Sequence, residues 1–139
     1  MWCETCEMRV LGIETSCDET AAAVVENGDT LLSNVVATSM DLHKQYGGVV
    51  PEIAARSHIE YINPVIDEAL KQAKTGWKSI DAICVTYGAG LGGSLLVGVM
   101  AARTLAIIHN KPLYAINHVE AHVYANFLTS TPLTDYNLP

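Results

Sequence analysis

Two histidines with metal-ligand spacing, His118 and His122, stand four residues apart in the stretch 117–122. On a helix, residues four apart lie about 40° apart around the axis and one turn above each other, so both imidazoles can point at one object. Because neutral imidazole nitrogens ligate zinc and iron, this spacing indicates a metal site whose third ligand must come from elsewhere. The spacing leaves open a pair of surface or capping histidines.

An acidic turn is the second group that could do chemistry. The apolar run 9–13 ends at a polar cluster that contains Glu14, Asp18 and Glu19. Acidic residues in a turn are usually only solvated, but ligands of open α/β sheets bind outside the carboxyl ends of strands. This position makes the turn a candidate reaction site, in which Asp18 or Glu19 could position an incoming amine or its proton.

A glycine-rich turn over residues 87–94 is the third candidate, and it contains Gly90, Gly93 and Ser94. Glycines between a strand and a helix let backbone N–H groups approach an anion, and the helix N-terminus adds partial positive charge. The spacing is neither a Walker loop nor a dinucleotide fingerprint. Close packing of the following helix on the sheet is the alternative, and the sequence leaves both open.

The elements that position these groups follow from the spacing of apolar residues. Apolar runs bounded by turn residues predict five strands, over residues 9–13, 21–25, 31–37, 80–86 and 113–116. The connections among the first three are too short for a crossover helix, so they form a meander. The fourth strand is predicted to run parallel to the first.

Helices are predicted between and after the later strands. A stripe of apolar residues from Ile59 to Ala73 predicts an amphipathic helix, continuous but kinked at Pro64. An apolar helix over 95–108 follows the glycine turn, and the histidine helix ends the pattern. Residues 39–51 are expected to form a loop.

This order of elements is that of the ribonuclease-H-like half of the actin, sugar-kinase and heat-shock ATPase (ASKHA) architecture. We therefore predict an α/β fold, the first lobe of an actin-like protein, with a mixed five-stranded sheet and flanking helices. The 139 residues, 50% hydrophobic and 17% charged, suffice for one domain with a sizeable core. Residues 1–7 carry no periodicity and are expected to be a disordered extension.

Charge and cysteine usage limit the classes of function. A net charge of −7 argues against a free-standing electrostatic grip on nucleic acid. The longest apolar run, 95–102, is too short to cross a bilayer, so no membrane is expected. Cysteines at positions 3, 6, 17 and 84 without a signal peptide favour a reduced, cytoplasmic setting without disulfides. The Cys3–Cys6 pair is a weak zinc or redox cue.

Four motifs together resemble the universal tRNA threonylcarbamoyladenosine synthesis acyltransferase family, once labelled O-sialoglycoprotein endopeptidase. They occur in order in the segments 13–20, 43–58, 90–98 and 117–122. The resemblance implies an enzyme that transfers a threonylcarbamoyl group from threonylcarbamoyl-AMP to the exocyclic amino group of the adenosine 3′ of the tRNA anticodon. It also implies partner proteins of the same pathway, including a related scaffold subunit, and a possible dimer.

The same resemblance implies roles for individual residues. His118 and His122 match ligands of one divalent metal, iron or zinc, and Asp18 and Glu19 match the acidic pair at the reaction centre. The positions implied to bind substrate are Glu14, Glu52, Arg56, His58, Gly90, Gly93 and Ser94.

The chain departs from the family pattern in three places. Ala89 stands where the family usually has proline, and Ala121 where glycine is common; neither change removes a ligand or a charge. The chain ends at Pro139, before the family's second lobe, which supplies the remaining metal-ligating aspartate. We therefore expect residues 8–139 to be a first lobe truncated before the second, inactive in isolation, with the third metal ligand outside the chain.

Three other functions compete with acyl transfer. A non-catalytic scaffold of the same fold would have no need of the histidine pair. A metalloprotease is less favoured, because Glu120 is two residues on from His118 and about 200° around the helix, and so faces away. A sugar or acetate kinase would require aspartate in the first phosphate turn, where this chain has Glu14.

Overall fold

A mixed five-stranded sheet forms the centre of the structure, a computed structural model that describes residues 7–128. The spatial order is β3-β2-β1-β4-β5, with antiparallel β1–β2 and β2–β3 pairs and parallel β1–β4 and β4–β5 pairs. The strands are β1 Arg9–Glu14, β2 Glu19–Glu26, β3 Thr30–Thr38, β4 Ala82–Gly88 and β5 Leu113–Asn117. The predicted meander and the parallel return of the fourth strand are both confirmed.

The predicted helices lie in the predicted order, and the amphipathic and the apolar helix both start earlier than expected. They are α1 Met40–His43, α2 Pro51–Gln72, α3 Gly92–Ile108 and α4 His118–Ala125, with short 3-10 turns over Lys44–Tyr46 and Trp77–Ser79. The expected loop over 39–51 is therefore wrong in part, because α1 and a 3-10 turn lie within it. Helix α2 begins at Pro51, whose fixed φ suits the first helical position, and it runs through Pro64 without a break.

The core lies between the sheet and helices α2 and α3, which also pack against each other. Leu11, Ile83 and Val85 on the sheet belong to the same buried cluster as Ile62 and Ile66 on α2. Helix α2 lies against β2 and β3, and α3 lies against β4. The buried face of α2 passes through His58 and Ile62, four residues apart, and this leaves Ile59 exposed although the apolar stripe assigned it to the core.

One irregularity interrupts the β4–β5 pairing near the site edge. Thr86 pairs with Ile116, but Gly88 pairs with Asn117, so β4 contains one extra residue, Tyr87. Such bulges bend a strand and re-aim neighbouring side chains.

Two earlier expectations fall largely outside the described residues. Of the extension 1–7 only Glu7 is described, where its exposed carboxylate meets Arg9, and the segment 129–139 of the expected first lobe is likewise not described. Within residues 7–128, no helix has both the length and the apolar composition needed to cross a membrane.

Candidate active site

Three parallel strands end at one edge of the sheet, each in a segment that the sequence had singled out. β1 ends at Glu14, β4 at Gly88 and β5 at Asn117. Asn117 is also the N-cap of α4, because its side-chain oxygen accepts the backbone N–H groups of Val119 at 2.9 Å and Glu120 at 3.4 Å. The cap begins the histidine helix directly at the edge of the sheet.

The imidazoles of His118 and His122 converge, as their spacing predicted. Their Nε2 atoms lie 2.9 Å apart, and the rings meet edge to face with centroids 4.5 Å apart. Metal–nitrogen bonds of about 2.0–2.1 Å would place two neighbouring donor atoms at a similar separation, so the pair fits two positions of a metal site. Among residues 7–128, no three His, Cys, Asp or Glu side chains are grouped closely enough to hold an ion. Within the described residues the pair could thus supply two donors to an ion, and its expected role as a metal site stays a prediction.

Glu14 connects the end of β1 to this pair. Its Oε2 lies 3.1 Å from Nδ1 of His118 and accepts a hydrogen bond from the hydroxyl of Thr86, while its Oε1 accepts one from the backbone N–H of Ser16. Burial raises the pKa of the Glu14 carboxyl, but the hydrogen bonds from Ser16, Thr86 and His118 outweigh burial and hold that pKa below its usual value. The structure thus places Glu14 behind His118, and its expected contact with substrate stays a prediction.

The turn with Asp18 is held from one side by a serine and a histidine. The carbonyl of Asp18 accepts the backbone N–H of Ser39 at 3.0 Å and its hydroxyl at 2.9 Å. His43, buried, accepts the N–H of Val50 at Nδ1, so its Nε2 carries the proton and donates to the Ser39 hydroxyl at 3.0 Å. Ser39 is therefore a structural clamp and not an activated nucleophile. Asp18 stays half-buried and Glu19 exposed.

His58 holds the same turn from the other side. It is fully buried, its Nε2 donates to the Cys17 carbonyl at 3.0 Å, and its Nδ1 accepts the Thr20 hydroxyl at 2.8 Å. Both ring nitrogens are thus used within the protein, so His58 has no free group to offer a substrate in this structure.

Glu52 and Arg56, on the first turns of the same helix, point the other way. They form a salt bridge at 2.6 Å with side chains 73% and 76% exposed. Exposed pairs contribute little to stability. These two side chains are accessible to a ligand, and their expected role in substrate binding stays a prediction.

The glycine turn packs against the acidic turn. The N–H of Leu91 donates to the Ser16 carbonyl at 2.8 Å, and a Cβ added at Gly90 would lie 2.5 Å from that same oxygen. Ser94 is fully buried, and its hydroxyl donates to the Cys17 carbonyl at 3.3 Å. Close packing, one of the two alternatives for this turn, is thus realised at Gly90 and Ser94. Gly93 is exposed, and substrate contact by these three residues stays a prediction.

Several polar residues at this edge were not singled out from the sequence. Thr86 and Ser16 contact Glu14, Ser39 holds Asp18, and Thr15 donates to the Ser94 carbonyl at 2.8 Å. Thr86 could have been found, since a polar residue at the carboxyl end of a parallel strand lies where ligands of α/β sheets bind. Ser39 carries no comparable signal, because its partner lies across a meander.

Comparison with known proteins places these motifs in one family. The profile described as "tRNA N6-adenosine threonylcarbamoyltransferase" matches residues 30–136. A protein of that name from Thermomicrobium roseum is 60% identical over 122 residues, which cover 88% of this chain and 33% of the relative. One from Geobacillus kaustophilus is 57% identical over 124 residues, 89% of this chain and 36% of the relative. The chain thus spans about a third of the length of these curated relatives.

Solved structures confirm the predicted fold class. YeaZ from Pseudomonas aeruginosa superposes with a TM-score of 0.58 at 17% identity, covering 79% of this chain and 43% of YeaZ. T. thermophilus RuvC, solved in complex with a Holliday junction substrate, superposes with a TM-score of 0.53 at 18% identity, covering 84% of this chain and 68% of RuvC. At such identities the likeness concerns the fold alone.

Proposed function

The chain belongs to the tRNA N6-adenosine threonylcarbamoyltransferase family, and from this premise we propose that its site takes part in transferring a threonylcarbamoyl group to tRNA. The donor is threonylcarbamoyl-AMP, and the acceptor is the exocyclic amino group of the adenosine 3′ of the anticodon. The observation that carries the proposal is the convergence of the His118 and His122 Nε2 atoms, 2.9 Å apart, at the sheet edge that also carries the acidic turn.

The reaction requires one new bond, one broken bond and one proton acceptor. The amino nitrogen bonds to the carbamoyl carbon, the bond from that carbon to the phosphate oxygen breaks, and AMP leaves. The amino group loses a proton, which Asp18 or Glu19 would accept or hold in position. Asp18 suits this role because its backbone is fixed by Ser39 while its side chain remains half-exposed.

The metal site belongs to the same proposal. His118 and His122 would hold one divalent ion, iron or zinc, and the remaining protein ligand would lie outside residues 7–128. When bound, such an ion supplies Lewis-acid polarisation of the reacting carbonyl. His118 is half-buried and would supply a donor atom held in place by the fold, whereas His122 is exposed and would supply a donor atom at the solvent-facing side of the ion.

Recognition of tRNA would depend on more than this chain's charge. A net charge of −7 opposes binding to a polyanion, so other protein surfaces would supply the basic contacts. We propose that these belong to other proteins of threonylcarbamoyladenosine synthesis, including a scaffold of similar fold. Leu96 and Met100, apolar and exposed on α3, are available for contact with such a protein.

A lobe-exchange experiment tests the function. Residues 9–128 of this chain replace the matching segment of the Thermomicrobium roseum relative, which is 60% identical, and transfer of labelled threonylcarbamoyl from its adenylate to tRNA is measured. We expect the hybrid to transfer the group, and the His118→Ala and His122→Ala hybrids to lose activity by about 100-fold or more. Asp18→Ala should lower the turnover rate by about 100-fold, the scale of general acid–base catalysis.

The matched control is Glu60→Gln, an exposed carboxylate on α2 outside the site, which should leave transfer unchanged. Full transfer by both histidine variants would contradict the metal-site proposal. A folded hybrid that binds partner proteins but transfers nothing would instead favour the non-catalytic scaffold. The 139-residue chain is assayed beside the hybrid, and robust transfer by that chain alone would contradict the need for a ligand outside it.

A further inference from the structure

Glu14 contacts His118 on the side of the imidazole that faces away from the convergence point with His122. The Glu14 Oε2 lies 3.1 Å from Nδ1 of His118, whereas Nε2 of the same ring lies 2.9 Å from Nε2 of His122. We propose that Glu14 is a positioning residue: its carboxylate holds His118 as the Nδ1–H tautomer, which leaves the Nε2 lone pair free for the ion. This inference rests on the metal site of the proposed function.

The carboxylate is fixed before it meets the imidazole. Its Oε1 accepts the backbone N–H of Ser16, and its Oε2 accepts the hydroxyl of Thr86 from the neighbouring parallel strand. Because an ionised carboxylate only accepts hydrogen bonds, its third partner, Nδ1 of His118, has to donate. One backbone N–H and one side-chain hydroxyl therefore orient Glu14, and Glu14 in turn orients the imidazole of His118.

Among the described residues, one further side chain lies within hydrogen-bond distance of the same nitrogen. The hydroxyl of Ser16 lies 3.2 Å from Nδ1 of His118 and could donate to it, which would move the imidazole proton to Nε2 and block metal binding. A charged acceptor forms the stronger hydrogen bond, so the carboxylate at 3.1 Å decides the tautomer and the Ser16 oxygen is left as a second acceptor. The tautomer of His118 is thus the observable that distinguishes the two arrangements.

His122 differs from His118 in this respect. It is exposed, and the ring contact that the structure gives it is the one to His118. No carboxylate among the described residues contacts its ring, so its tautomer follows whatever occupies the site. The pair is therefore asymmetric: the fold sets the tautomer of His118, whereas the tautomer of His122 adjusts to the ligand.

The expected size of the effect follows from known metal sites. Removal of a carboxylate that contacts a metal-binding histidine typically changes metal affinity by 10–100-fold.

The first measurement is the tautomer of His118 in the metal-free 139-residue chain. Long-range ¹H–¹⁵N spectra are recorded above the ordinary imidazole pKa of about 6.5. We expect the Nδ1–H tautomer of His118 in the wild-type chain and a several-fold gain of the Nε2–H form in Glu14→Gln, whose single carbonyl oxygen cannot replace two carboxylate oxygens. Glu60→Gln is the matched control and should match wild type.

The second measurement is the affinity of the same chains for the zinc ion alone, determined by titration. We expect Glu14→Gln to bind zinc at least about 10-fold more weakly than the wild-type chain. Thr86→Val, which keeps the carboxylate but removes one of its donors, should weaken binding by a smaller factor. Thr86→Ser, which restores the hydroxyl, should recover it. If Glu14→Gln does not fold, the Thr86 pair decides the question.

The two proposals fail in different ways. A wild-type His118 in the Nε2–H form, or unchanged tautomer and zinc affinity in Glu14→Gln and Thr86→Val, would overturn the positioning role and leave the transfer activity of the hybrid untouched. The opposite outcome would overturn the metal site alone. In that case the wild-type chain shows the Nδ1–H tautomer, but the hybrid keeps its full transfer activity after His118→Ala and after His122→Ala.

Discussion

The Nε2 of His58 lies 3.0 Å from the carbonyl oxygen of Cys17, so that a buried side chain of α2 holds the turn that carries Asp18. The same ring accepts the Thr20 hydroxyl, which anchors the first residues of β2. The acidic turn is therefore attached to the helix packed against the sheet, and its geometry depends on a histidine that the family resemblance had assigned to substrate binding.

Replacing His58 should destabilise the protein through this attachment. His58→Ala removes two buried hydrogen bonds and leaves a cavity at a fully buried position, so we expect a loss of about 2–4 kcal/mol in the free energy of unfolding. His58→Gln, which can still donate to Cys17, should recover part of it. Urea unfolding measures both, with Arg56→Ala on the exposed face as control. A loss below about 0.5 kcal/mol would show that the attachment is weak.

Gly98 makes the second prediction, because α3 and the acidic turn touch there. A Cβ at this position would overlap the Oγ1 of the buried Thr15. Gly98→Ala should therefore lower the free energy of unfolding by about 1–3 kcal/mol, although alanine has a higher helix propensity than glycine. Gly92→Ala, at the open start of α3, should be neutral or stabilising. Thermal unfolding should show partial recovery in the double variant Thr15→Ala/Gly98→Ala, and additive effects would contradict the overlap.

The Cys17 thiol gives a prediction about pH. Burial raises the pKa of this thiol, and the hydrogen bond and negative charge of Asp18 raise it further. Because the thiolate is the reactive form, alkylation of Cys17 should be slow at neutral pH and accelerate as the pH rises. Asp18→Asn removes the neighbouring charge, so it should speed alkylation on the order of two- to fivefold at fixed pH.

Peptide-resolved mass spectrometry with iodoacetamide separates this thiol from the others. Cys84 is the internal reference, since burial alone raises its pKa and Asp18→Asn should leave its rate unchanged. Equal acceleration of Cys17 and Cys84 would indicate general loosening of the structure and contradict a local effect of Asp18.

Variants of Glu52 and Arg56 test whether the exposed side chains of the motif 43–58 contact the substrate. Their salt bridge is one of the surface pairs that contribute about 0.3–0.5 kcal/mol, so Glu52→Ala and Arg56→Ala should leave stability nearly unchanged. If these residues bind substrate, the lobe-exchange hybrid should show a KM raised by about 10-fold, as expected for a lost charged contact. Lys71→Ala, at the far end of α2, is the control, and an unchanged KM in both variants would remove the pair from the site.

Periodicity was sufficient to predict the sheet and its direction. The β4 return parallel to β1 followed from β-branched residues after an amphipathic helix, and the five strands appear within two residues of the expected starts. The start of α2 was missed because its first two turns bury Ala54, Ser57 and His58, which are not an apolar stripe. Burial of a hydrogen-bonded histidine cannot be read from hydrophobicity, since its partners lie on another element.

The site was predictable only in part for the same reason. The proximity of His118 and His122 could be predicted from their spacing, because both residues lie on α4. The contact of Glu14 with His118 joins residues 104 positions apart, and it depends on which strands are neighbours. Motif resemblance placed Glu14 and His58 in the site, but their partners could be assigned only from three-dimensional contacts.

The extra residue in β4 has a consequence for the spacing of the whole site edge. Tyr87 is inserted between Thr86, which contacts Glu14, and Gly88, which pairs with the cap residue Asn117. A bulge bends the strand that contains it, whereas the residues of β5 keep their own alternation. Removing Tyr87 would therefore straighten β4 and draw the glycine turn toward Thr86 by one residue, or roughly 3.3 Å. The length of β4 thus sets the distance between the Thr86–Glu14 contact and the glycine turn. Changing it by a single residue would leave every motif present in the sequence and shift the glycine turn against the acidic turn on which it packs.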